Sequence, residues 1–187
     1  MAGESILVLG LGNLICQDDG LGVVAVMRLV QRYRPAPGVR VLDGGTLGLA
    51  LLPTLESAGV AILVDAIRSD GPPGTLVRLE GEQVAQAAEH RLSVHQVGVA
   101  DLLGAARLQG SLPGRLLLLG LVPESMELGV ERTPAVEARI EDLVDAVRAE
   151  CAALGHPFLP RQVDEAEGAT FLAGDGVFLP GLQQQLR

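Results

Sequence analysis

Five short apolar runs, at residues 5–9, 39–42, 60–64, 75–79 and 115–121, alternate along this chain with segments of helical period. A fold that satisfies this alternation places the runs side by side in a mostly parallel sheet and lays the helical segments over both faces. The runs at 60–64 (VAILV) and 115–121 (RLLLLGL) show no polar alternation, as expected of strands buried on both sides. The run at 75–79 alternates, which suits a strand near an edge.

The connecting segments carry start and stop signals. A helix is expected from about Gly20, with Val23, Met27 and Val30 on one face, ending before Pro35. Asp43-Gly44-Gly45-Thr46 is expected to turn the chain, with Thr46 as N-cap of a helix over about 47–55. Ser93-Val94-His95-Gln96 has the form of a capping box opening a helix through Leu103, and Thr133-Pro134 opens a last helix whose apolar face is Val136, Ile140, Leu143, Val147 and Cys151. Residues 1–160 read as one domain. Residues 161–187 have no sustained period and read as a C-terminal extension, flexible or docked through Phe171 and Phe178.

Several classes of function are disfavoured by composition. The hydrophobic fraction of 48% would suit a membrane protein, yet no apolar run approaches the roughly 18 residues of a spanning helix. A formal net charge of −9, no lysine and 2% aromatic residues argue against nucleic-acid partners. The N-terminal MAGESILVLGLG lacks the positive charge of a secretory signal, and two cysteines, Cys16 and Cys151, form no metal-type pair or disulfide framework, so a cytoplasmic protein is expected.

Ligands of open α/β sheets bind beyond the carboxyl ends of the strands. Three metal-capable residues fall there: Asp19 closes the loop after the first strand, Asp65 ends the central strand, and His95 lies in the first turn of a helix. Two carboxylates and an imidazole suit a borderline divalent ion such as nickel or zinc. Each also has a structural reading. Asp18 or Asp19 could cap the helix at Gly20, Asp65 could serve a buried partner, and His95 could be a surface or core residue. Spacing alone leaves both readings open.

Other chemistries fit less well. GLGNLI resembles the dinucleotide fingerprint, with Asp43 placed as the ribose acid, but Ile15 stands where the third glycine belongs and Cys16-Gln17-Asp18-Asp19 delays the helix. A Cys16–His95 nucleophile pair is conceivable, although nothing in the sequence activates the thiol. No G-x-S-x-G elbow and no P-loop are present.

Taken together, GLGNLICQDDGLG, LDGGTLGL, LVDAIRSDGPPGT, SVHQVGVADLL and LGLVPESMELGVERTPAVEARI occur in the order and at separations comparable to those of the hydrogenase maturation protease family, which the chain resembles over residues 5–154. That resemblance implies a three-layer α/β/α fold on a twisted, mostly parallel five-stranded sheet. It implies an aspartyl-type endopeptidase that removes a C-terminal peptide from the nickel-loaded large-subunit precursor of a nickel-iron hydrogenase. Asp19, Asp65 and His95 would be the catalytic and metal-recognising residues, with the nickel carried by the precursor. Asp43, Gly44, Gly45 and Thr46 would contact the peptide. Many family members carry Glu at the position of Asp19, so the shorter arm here reaches about one bond less.

Overall fold

The computed structural model describes residues 5–90, 97–161 and 177–178. Its central sheet is built from β1 (Ile6–Leu11), β3 (Val39–Gly45), β4 (Val60–Ala66), β5 (Leu76–Glu80), β6 (Arg115–Leu121) and β8 (Val177–Phe178), in the order β5-β6-β4-β1-β3-β8. Four long strands are parallel and β5 alone is antiparallel, so the expected five-stranded, mostly parallel sheet is present. The two-residue β8 adds a parallel rung on Val41 and Leu42 of β3. A short ribbon pairs β2 (Tyr33–Arg34) with β7 (Leu159–Pro160).

Side-chain parity builds the three layers. In β1, Ile6 and Val8 turn to one face, where α1 (Leu21–Arg32) and α6 (Ile140–Ala153) cover them with Val26, Leu29, Leu143 and Val147. Leu7, Leu9 and Leu11 turn to the other face, under α2 (Leu52–Glu56), α3 (Glu82–His90) and α4 (Val97–Gln109). Removing both faces of β1 and β4 from water at about 25 cal/mol per Å² is the main drive for this arrangement. Arg28 of α1 adds a tie across the first layer, pairing with Glu137 of α5 (Pro134–Glu137) and, at 3.2 Å, with Glu141 of α6. At its start α1 lies so close to the sheet that a Cβ on Gly22 would stand 2.0 Å from the Val64 carbonyl oxygen.

Several local expectations are corrected. β3 does not stop at Leu42 but continues through Gly45, because Asp43 pairs with Gly10 and Gly45 with Leu11 across a register shift. Thr46 caps no helix; the chain closes a turn from the Gly44 carbonyl to the Leu47 N–H and enters a 3-10 turn over Gly48–Leu51 before α2. Helix α3 lies where the sequence pattern indicates no element. The last helix is broken into α5 and α6 around Ala138 and Arg139. The capping box at Ser93 and the docking of Phe171 fall outside the described residues.

Candidate active site

The chain leaves β1 for β3 on one side and leaves β4 toward β6 on the other, so the carboxyl ends of β1 and β4 flank the crevice where such a sheet binds ligands. Asp65 stands at this edge, in register with Gly120 of β6. Following Ala61 and Leu63 in the alternation, it leaves the strand on the face covered by α2 and α4. Gly120 allows this packing: a Cβ there would lie 1.9 Å from the Asp65 carbonyl oxygen.

Asp19 arrives by a loop that folds back on itself. Gly12 turns with φ 117°, a backbone region open to glycine, and a Cβ on it would strike the Asp19 carbonyl oxygen at 1.8 Å. The Asn13 N–H then donates to Asp19 Oδ2 at 2.9 Å. Asp19 is buried beside β4 and contributes to the electrostatics of Asp65. Burial pushes the Asp65 carboxyl up to about 8; the Ala66 N–H, donating to Oδ1 at 2.7 Å, lowers it, and the Asp19 charge raises it further.

Burial and the Asp19 charge thus both oppose the ionisation of Asp65. A divalent cation bound here would favour the ionised form of Asp65, and oxygen donors with an added imidazole would fit nickel or zinc. His95 lies outside the described residues; α4, on the same sheet face as Asp65, begins two residues after it. No cluster of three or more metal-capable side chains occurs among the described residues.

Asp18 and Asp19, which the sequence offers as alternative caps for the helix at Gly20, have separate tasks. Neither side chain caps the helix that follows. Asp18 is fully buried and accepts from the N–H groups of Glu124, Ser125 and Thr133, at 2.9, 3.1 and 2.7 Å, and from the Thr133 hydroxyl at 2.8 Å. Its role is to hold the loop after β6 against the loop after β1. The sequence signal for it is the adjacent acid pair itself, since one buried carboxylate cannot satisfy both the loop and the crevice.

The DGGT segment borders the same edge. Asp43 and Gly44 are buried within β3, whereas Gly45 is half-buried and Thr46 exposed. The Gly45 carbonyl is taken by the Gly12 N–H at 3.1 Å, which fixes the rim of β3 to the Asp19 loop. Past the carboxyl ends of β4 and β6 opens a groove of about 360 Å3, lined by Arg68, Ser69, Val122, Pro123, Glu124 and Met126.

The rival chemistries lose their geometry here. The glycine turn after β1 does not open a helix, because α1 starts at Leu21 beyond the acidic loop, and no helix N-terminus faces a pyrophosphate at that turn. Cys16 is buried, at 4% exposure, with its backbone bridged to Gly129.

A family model described as hydrogenase maturation protease matches residues 23–150. Hydrogenase 2 maturation protease of Escherichia coli K12 is 41% identical over 158 residues, an overlap of 84% of this chain and 96% of that protein. The hydrogenase expression/formation protein HupD of Rhodobacter capsulatus is 40% identical over 148 residues, 78% of this chain and 70% of its own length. Among solved structures, the hydrogenase maturating endopeptidase HybD from E. coli superposes with a TM-score of 0.79 at 41% identity, covering 83% of this chain and 97% of that one. The NiFe hydrogenase maturation protease HybD of Thermococcus kodakarensis does so with a TM-score of 0.65 at 28% identity, covering 78% and 97%. No helix among the described residues is long and apolar enough to cross a membrane. With this fold, this site and these relatives, the chain belongs to the hydrogenase maturation protease family and is a peptidase.

Proposed function

We propose that the chain removes the C-terminal peptide from the large-subunit precursor of a nickel-iron hydrogenase after nickel has been inserted, and that it recognises the metal through Asp19, Asp65 and His95. The observation that carries this reading is the placement of two buried carboxylates, Asp65 at the carboxyl end of β4 and Asp19 on the loop after β1, where burial opposes the ionisation of Asp65. A cation delivered by the substrate would favour the ionised form of Asp65.

In this scheme the nickel is part of the substrate. As it seats, Asp65 gives up its proton, so recognition is linked to proton release. The groove past the carboxyl ends of β4 and β6 takes the extension to be removed, and the rim of Asp43, Gly44, Gly45 and Thr46 contacts the peptide through main-chain groups. Hydrolysis adds water across one amide bond, its hydroxyl to the carbonyl carbon and its proton to the departing amine. Nickel-free precursor offers no cation to Asp19 and Asp65 and is passed over.

Mass measurement of a nickel-loaded and a nickel-free precursor, each incubated with the protein, tests this. The loaded form should shorten by one C-terminal peptide, and Asp65→Asn or His95→Gln should leave it intact. Equal processing of both forms would exclude metal recognition, and an unchanged mass with every sample would exclude the cleavage itself.

A further inference from the structure

The central sheet ends in a strand that the chain supplies from its own tail. Among the described residues β3 has β1 on one side and β8 on the other. β8 lies parallel to β3, with Val177 opposite Val41 and Phe178 opposite Leu42. The pairing stops at Leu42, and the next residues of the same strand, Asp43 to Gly45, are the rim proposed to contact the peptide. That rim lies one strand spacing, about 4.8 Å, from β1, whose following loop carries Asp19. β8 thus runs along the outside of β3 toward the sheet edge that holds the site, and it makes no rung with Val39 or Arg40 at the far end.

The outer side of a terminal strand is a template on which an extended segment adds through main-chain hydrogen bonds, largely whatever its sequence. Here the occupant belongs to the same chain. The stretch that leads to it starts where α1 ends, because the Arg161 N–H donates to the Arg32 carbonyl at 2.8 Å and Arg161 Nε to the Val30 carbonyl at 2.7 Å. Residues 162–176 then supply at most about 50 Å of extended chain. Val177, Phe178 and Leu179 are strand-favouring residue types, whereas Pro180 has no N–H to give to a ladder. A two-residue strand makes few rungs, so a longer extended peptide can take its place.

We infer that the outer edge of β3 is a strand-addition site for an extended peptide, occupied in the free protein by Val177 and Phe178 and yielded to the C-terminal extension of the precursor. This rests on the proposed function; it adds how the extension is gripped and makes the tail of the chain its built-in competitor.

The test uses the full-length variant V177P/F178P, which keeps every proposed site residue and removes both N–H groups of β8. Outer-edge amides of β3 should exchange with solvent about 10-fold faster in the variant than in wild type. A fluorescein-labelled peptide of residues 174–187, followed by polarisation, should bind the variant about 10-fold more tightly, because the competing intramolecular strand is gone. On nickel-loaded precursor KM should fall about 3-fold with kcat unchanged, and the unlabelled peptide should raise it again competitively. Should the proline pair fail to fold by circular dichroism, V177G/F178G lowers strand propensity while keeping both N–H groups, and the same directions are expected. Unchanged exchange, equal peptide affinity or unchanged KM in a folded variant would overturn the inference. So would protection of β3 amides in wild type that is lost on dilution, since the strand would then come from a second copy. Peptide binding is read without precursor, so a protein that binds the peptide and cleaves nothing would sink the proposed function and leave the strand-addition site standing. Normal cleavage without peptide binding by the variant would do the reverse.

Discussion

Asp65 is withdrawn from water at the carboxyl end of β4 and feels the charge of Asp19, and both effects oppose its ionisation. Ionising Asp65 therefore costs the native protein stability.

A pH dependence of stability follows. The folded-state pKa of Asp65, about 8, lies above its ordinary value of 3.8, so between these limits the native state binds more protons than the unfolded chain. Asp65 then costs stability progressively as pH rises from about 4 to about 8, each unit of separation corresponding to roughly 1.4 kcal/mol at most. Asp65→Asn removes the cost. Its melting temperature should exceed that of wild type by several degrees at pH 8.5, and the difference should shrink toward pH 5. A difference that does not vary with pH would show that Asp65 ionises without penalty.

Two helix glycines should respond to alanine with opposite signs. In α1, a methyl on Gly22 would press on the Val64 carbonyl at 2.0 Å and the Leu11 carbonyl at 2.5 Å, whereas Gly104 in α4 has nothing within 4 Å. Gly22→Ala should destabilise by about 3 kcal/mol through backbone overlap. Gly104→Ala should stabilise by up to about 1 kcal/mol from helix propensity. Urea unfolding of the two variants settles the signs.

Neither thiol should react in the native protein. Cys16 and Cys151 are both buried, and burial, with a smaller contribution from the Glu150 charge, pushes the Cys151 thiol up to about 12. Dithionitrobenzoate should label neither until guanidinium unfolds the chain, and iodoacetamide pretreatment should leave processing intact. Loss of activity on alkylation would bring back the cysteine-nucleophile reading.

What is legible in the sequence is whatever hydrophobic period alone decides. The strand at Arg115–Leu121 can be read to its end residues, since an unbroken apolar run closed by a turn has few other places in an α/β fold. Asp65 is legible for the same reason, as a carboxylate at the end of a fully buried strand. Helix α3 is not: alanines and glutamines make up most of it, and Val84 is its one large buried anchor. The extension of β3 through Gly45 depends on pairing with Gly10 and Leu11, a long-range contact that local glycines disguise as a turn. The division of labour between Asp18 and Asp19 is likewise hidden, because it is set by a loop more than a hundred residues away. The tail shows no period in the sequence, yet Val177 and Phe178 pair with β3, and two residues need little pattern when an edge is available.

Gly120 contributes no side chain, yet it decides how deeply Asp65 can settle against β6. Enlarging that position by one methyl would press on the Asp65 carbonyl oxygen and so shift the peptide unit whose Ala66 N–H donates to the carboxylate. The pose of an acidic group is thus governed by a residue of the neighbouring strand that has no side chain of its own.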